Sequence, residues 1–179
     1  VSYLKPGPGF GGSCFPKDVK ALKHFGQSIG QKMQILDSII NVNNSQHLEI
    51  EKILVNNNII KKSNKLLVLG LSFKEDTDDI RESKSIELVK SLHSKIQLFL
   101  HDPMAEKNAK EELKAFEDLN FTEDWLDKLS DMDAIVLMTN WNEYKLIEEN
   151  SDLVHGLILD ARGFLNKIRF KRYISINKA

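Results

Sequence analysis

A chain of 179 residues, 41% hydrophobic and 28% charged, can bury a core, and it has no apolar run of the roughly 18 residues needed to span a bilayer. Its net charge of -1 gives no electrostatic footprint for nucleic acid, and its dispersed histidines (His24, His47, His93, His101, His155) lack metal-site spacing, so no metal is expected. The single cysteine excludes an internal disulfide and fits a reducing compartment, so a cytoplasmic protein with no nucleic-acid or membrane partner is expected.

Residues 1–15 read as a Gly/Pro-rich loop that ends in Gly9-Phe10-Gly11-Gly12-Ser13-Cys14-Phe15-Pro16-Lys17-Asp18. Three glycines in four positions let backbone N–H groups approach a ligand without Cβ interference. Pro16 suits the first position of a helix that runs to about Phe25, before Gly26 and Gly30. Cys14 therefore sits ahead of a helix N-terminus, where the macrodipole favours an anion, and Lys17 adds positive charge one turn on. Both effects lower a thiol pKa from its free value of about 8.5. The alternative for a lone cysteine is a small buried hydrophobe, but these neighbours favour a reactive thiol. Asp18 is placed to orient a water or to hold Lys17.

From Lys32 to about Asn57 the spacing predicts one long helix. Ile35, Ile39, Val42 and Gln46 form one row; Leu36, Ile40, Asn43, His47, Ile50 and Leu54 form another. The polar interruptions suit a solvated spacer or a face shared with a partner, and packing against the chain's own domain is the other reading. An α/β pattern starts at Lys65. Strands are expected at 66–70, 96–101, near 121, at 134–138, 157–159 and 173–176. Helices are expected at 83–93, 105–116, 123–130 and around Leu146-Ile147. This alternation implies a doubly wound, mostly parallel, Rossmann-like sheet preceded by the long helix. Ligands of such sheets gather at the carboxyl ends of the strands, here Gly70–Lys74, His101-Asp102, Thr139–Trp141 and Asp160–Arg162. The loop after Gly70 lacks the dinucleotide fingerprint; its Phe73 and Lys74 suit a base or ribose with a phosphate.

Tyr3 to Asp18 resembles the active-site segment of the UDP-glucose/GDP-mannose 6-dehydrogenases, and Gly70-Leu71-Ser72-Phe73-Lys74 through Asp79-Ile80-Arg81-Glu82-Ser83 is similar to their nucleotide-binding signature. The resemblance implies NAD-dependent, four-electron oxidation of a nucleotide-sugar C6 alcohol to the carboxylate. Cys14 would be the nucleophile, Lys17 would stabilise thiolate and oxyanion, and Asp18 would handle the hydrolytic water. It also implies that Lys5, Gly7, Gly9, Phe10 and Gly11 wrap the sugar and phosphates, that Phe73 and Lys74 hold the nucleotide, and that Arg162 touches the substrate. NAD would meet Cys14, Lys17 and Arg81, the arginine reaching across to its phosphates; the alternative for Arg81 is a surface ion pair. Asp102 reads equally as a turn or a ligand contact, and Trp141 as packing more than stacking.

The resemblance further implies a division into residues 1–62 (end of the active-site loop plus a central helical dimerisation region) and 63–179 (UDP-binding α/β domain). The Gly-x-Gly-x-x-Gly NAD-binding domain is absent from this sequence, so a C-terminal fragment, inactive alone and homodimeric through the long helix, is expected. Ser13 and Lys17 disfavour an N-acetylmannosamine substrate, while Phe15–Asp18, His101-Asp102-Pro103 and the Trp141 segment favour UDP-glucose over GDP-mannose. A nucleotide-binding or dimerisation module without redox chemistry is the alternative from another class.

Overall fold

The computed structural model describes residues 7–176. Two helices precede the sheet: α1, Phe15–Ser28, and α2, Gln34–Asn56. α1 continues through Gly26, where the sequence suggests a break, because its stop lies further on. Gly30 takes a φ of +74°, Gln31 N–H reaches back to the Gly26 carbonyl (2.9 Å) and Gly30 N–H to that of Gln27 (3.0 Å), closing the helix with a left-handed turn.

Six strands follow: β1 Lys65–Leu69, β2 Gln97–His101, β3 Leu119–Phe121, β4 Ala134–Leu137, β5 Leu157–Asp160 and β6 Tyr173–Ser175. They pair in the order β3-β2-β1-β4-β5-β6, and every pairing is parallel. The expected doubly wound sheet is present, with its chain reversal between β1 and β4. The helices α3 (Lys84–Leu92), α4 (Glu106–Glu112) and α5 (Leu146–Glu149) lie in the connections. The helix expected at 123–130 is instead a 3₁₀ segment over Leu126–Asp131.

Strand alternation assigns the two faces. Leu66, Val68, Leu98, Leu100 and Val136 face one core with Ile86 and Val89 of α3 and Ile50 and Leu54 of α2. Leu67, Leu69, Ile135, Leu137 and Ile158 face the other, with Trp125, Leu129, Trp141, Tyr144 and Ile147. The two rows of α2 have different fates. Ile50 and Leu54 are fully buried, whereas Ile35 is 77% and Val42 58% exposed. One row belongs to this domain's own core; the other remains on the surface with Leu22 and Phe25 of α1 and Ile29 just beyond it.

Candidate active site

The loop ahead of α1 lies across the carboxyl end of the sheet. Gly7 packs on the Arg162 guanidinium, and Gly11 packs on the Glu82 carbonyl and Phe73. Gly9 adopts a φ of +112°, and a Cβ there would stand 2.7 Å from Asn43 Oδ1. The glycines expected to admit a ligand thus also let the loop approach its own protein closely. Phe10 is gripped by Asn43 of α2: its N–H donates to Asn43 Oδ1 (2.8 Å), and Asn43 Nδ2 donates to its carbonyl (3.0 Å). Two residues on, Gly12 N–H donates to the Arg81 carbonyl (2.8 Å).

Cys14 then caps α1. Its carbonyl accepts the first helical bond from Asp18 N–H (2.9 Å), Pro16 follows in the first turn, and Sγ is exposed, 3.7 Å from Ser13 Oγ. Lys17 Nζ stands 3.8 Å from Asp18 Oδ1, an exposed pair of the kind that contributes about 0–1 kcal/mol.

Arg81 is held by its own loop. Its Nε and Nη2 donate to the two oxygens of Asp79 (2.9 and 2.7 Å), and its N–H also donates to Asp79. The Asp79 carboxylate raises the arginine's pKa through hydrogen bonding and charge, with a smaller contribution from the Cys14 sulfur. The bond from Gly12 to the Arg81 carbonyl makes the loops before α1 and around position 81 neighbours, despite their separation in sequence. With Gly12, Ser13, Lys17, Lys20, Ile86 and Lys90, Arg81 lines a cleft of about 730 Å³.

On the nucleotide side, Lys74 Nζ lies 5.5 Å from the Phe73 ring centre. The Phe73 carbonyl accepts from Arg162 Nη2 (3.2 Å), and Arg162 Nε donates to the Met138 carbonyl (2.8 Å). Burial pulls the guanidinium's pKa down, against the opposing charges of Glu75 and Asp160. Asp102 proves to be a structural hub. Oδ2 accepts from Leu71 N–H (2.7 Å), Ser72 N–H (3.0 Å), Ser72 Oγ (3.0 Å) and Trp141 Nε1 (3.2 Å); Oδ1 accepts from Met104 and Ala105 N–H. Between a turn role and ligand contact, the turn role prevails, and Trp141 is packed.

Gly7, Gly9, Phe10, Gly11, Phe73 and Arg162 are thus gathered at one sheet end, Lys17 and Arg81 share the neighbouring cleft, and Cys14 and Asp18 are exposed at the start of α1. Lys5 lies outside the described residues. Sequence reasoning gave no role to Asn43, whose signal was a polar interruption, with His47, of an apolar helix row, or to Lys84, a lysine buried at the start of α3. Among the described residues no cluster could hold a metal, and no helix is long and apolar enough to cross a membrane.

Comparison with known proteins identifies the family. A family model described as UDP-glucose/GDP-mannose dehydrogenase family, UDP binding domain, matches residues 67–167, and that for the family's central domain matches residues 1–45. The chain is 35% identical to a UDP-glucose 6-dehydrogenase of Rickettsia conorii, over 96% of this chain and 42% of that protein. Against one of Rhizobium meliloti it is 31% identical, over 98% and 42%. It therefore spans well under half the length of these relatives. A UDP-glucose dehydrogenase from Pyrobaculum islandicum superposes with a TM-score of 0.85 at 30% identity, covering 99% of this chain and 40% of its own. A GDP-mannose dehydrogenase from Pseudomonas aeruginosa gives 0.80 at 26%, covering 97% and 41%. Matched over more than half its length by the UDP-binding-domain model, the chain belongs to the UDP-glucose/GDP-mannose dehydrogenase family.

Proposed function

We propose that this chain is the central and UDP-binding part of an NAD-dependent cytoplasmic dehydrogenase that oxidises the C6 alcohol of UDP-glucose to the carboxylate. Residues 1–62 carry the end of the catalytic loop and the dimerisation helix, and residues 63–179 the UDP-binding domain. The observation that carries the reading is the position of Cys14, at the cap of α1, two residues beyond the Gly12 that bonds the Arg81 carbonyl, and on the same loop that covers Phe73 and Arg162.

In this mechanism the Cys14 thiolate adds to the C6 aldehyde left by the first oxidation, forming a C–S bond and a thiohemiacetal. The second oxidation leaves a thioester. Water, positioned or deprotonated by Asp18, then releases the acid and returns the thiol. Lys17 stabilises the thiolate and the oxyanion of the tetrahedral species. NAD, when bound, supplies the acceptor for each pair of electrons, two being consumed per sugar. The cleft lined by Lys17, Lys20 and Arg81 offers cations for dinucleotide phosphates, which would have to draw them from their present partners Asp18, Glu82 and Asp79.

Lys5, Gly7, Gly9, Phe10 and Gly11 close over sugar and phosphates, Lys74 meets a phosphate, and Phe73 meets the base or ribose. Arg162 holds the loop floor and reaches the substrate from below. The likeness to a GDP-mannose dehydrogenase makes GDP the competing nucleotide. Calorimetry of this chain with UDP, GDP and NAD tests the assignment. UDP should bind most tightly, and Lys74→Ala should weaken UDP by about tenfold or more, the value of a charge-assisted hydrogen bond. Preference for NAD would overturn the domain assignment, and preference for GDP would move the substrate to GDP-mannose.

A further inference from the structure

The polar interruptions of α2 have a use that the mechanism above leaves unassigned. Asn43 occupies a row that otherwise enters the core, it is 6% exposed, and its side chain gives Phe10 an acceptor and a donor at once. The seat around the loop is completed by α3. Lys84, whose Cγ would lie 3.1 Å from a Cβ at Gly9, sends Nζ to Glu87 Oε1 (2.9 Å), and Glu87 Oε2 stands 3.1 Å from Nδ1 of His47, one turn beyond Asn43. Phe10 also stacks edge-on against Phe15, ring centres 4.7 Å apart, across the residues that bear the thiol. Of the two backbone anchors that flank Gly11, the bond from Gly12 to Arg81 is main chain to main chain. Only the Phe10 anchor depends on a side chain.

We infer that Asn43 is a positioning residue for Cys14: its paired hydrogen bonds to Phe10 set the height and register of the catalytic loop on α2, so that the thiol meets C6 in line. The inference rests on the reading of Cys14 as nucleophile. An amide is the group suited to the task, because a carboxylate would face the Phe10 carbonyl without a proton to donate, and an aliphatic side chain would leave both backbone groups unpaired. The absence of a side chain at Gly9 is the complement, since a Cβ there would displace the Asn43 carbonyl oxygen.

The test uses the full-length enzyme, with Asn43→Ala, Asn43→Asp and, as a control on the same helix, Ser45→Ala, whose hydroxyl bonds to the Val42 carbonyl of its own helix. Displacement of a reacting group by about 1 Å can cost on the order of 100-fold in rate. Asn43→Ala should lower kcat by about 10- to 100-fold, with KM for NAD within about twofold of wild type. The alkylation rate of Cys14, read on its own peptide by mass spectrometry, should change while the melting temperature stays within a few degrees. Asn43→Asp should be intermediate in kcat, and Ser45→Ala unchanged.

An Asn43→Ala enzyme with normal kcat and normal alkylation overturns the inference. So does failure of both Asn43 variants to fold, which would make the residue structural; if only Asn43→Ala fails, Asn43→Asp carries the comparison. Cys14→Ala, assayed alongside, separates the two claims. Acid formation that survives in it overturns the thiol reading itself, whereas acid formation lost there but normal in Asn43→Ala overturns only the positioning role.

Discussion

The positions of Cys14, Phe73, Lys74 and Arg162 were legible in the sequence because each sits in a short self-contained run, a Gly-rich loop before Pro16 or the end of an apolar strand, whereas the role of Arg162 came from the family resemblance. Asn43 was not, because its partner Phe10 is 33 residues away and no local pattern reports that distance. Arg81 was read both as a surface ion pair and as a reaching arginine; its fork on Asp79 leaves it 66% exposed on the cleft wall, so it is paired yet still presented to a ligand. The titratable group with the clearest consequence is His101, which shares a hydrogen bond with Tyr144 Oη (3.0 Å). Burial holds His101 below its ordinary 6.5, against the charges of Asp102 and Glu106. The unfolded chain therefore binds that proton more readily, so this contribution to stability is complete above about pH 6.5 and declines below it. Glu143 acts oppositely. Burial raises its carboxyl from 4.5, so its contribution is present below that value and is lost as pH rises through the folded one. Thermal melts from about pH 8 to about pH 5 should show the midpoint falling on the acid side, and His101→Gln should flatten that fall. An equal slope in the variant would assign the loss to other groups.

Among the elements, α2 best shows what periodicity can and cannot say. The two apolar rows are plain in the sequence, but which is covered depends on α3 and the sheet, elements that lie beyond it in the chain. At 23 residues and 1.5 Å per residue α2 is about 34 Å long, and only its second half reaches the core. Ile50→Asp, which puts a charge into that core, should leave the chain unfolded, and Leu54→Ala should cost about 2–5 kcal/mol in denaturant melts. The exposed row behaves differently under the proposed homodimer. Ile35→Asp with Val42→Asp should leave the fold intact and convert a dimer to a monomer in sedimentation. A wild-type chain that stays monomeric at high concentration would remove the homodimer from the account. The 3₁₀ segment at Leu126–Asp131 was legible only as some helical turn, since Trp125 and Leu129 mark its inward side but do not fix its pitch.

For the molecule as a whole, alternation of apolar strands with helical stretches was enough to give a doubly wound sheet. The order in which its strands lie followed only from the structure, because strand neighbours are set by pairings between distant residues, such as Leu66 with both Leu98 and Ala134. That order puts the crevice between β1 and β4, where the Phe73 loop, Thr139 and Arg162 meet the glycine loop. Thr139 Oγ1 donates to the Ser72 carbonyl there (2.9 Å), tying the two strand ends together. The central claim is that this crevice and Cys14 serve a four-electron oxidation on one covalently held sugar. The direct test is the ratio of NADH formed to UDP-glucose consumed by the full-length enzyme, measured for wild type and for Cys14→Ser. The account predicts two NADH per UDP-glucose with UDP-glucuronate as the product in wild type, and no acid from the variant. One NADH per sugar with free aldehyde accumulating, or near-normal acid formation by Cys14→Ser, would contradict it.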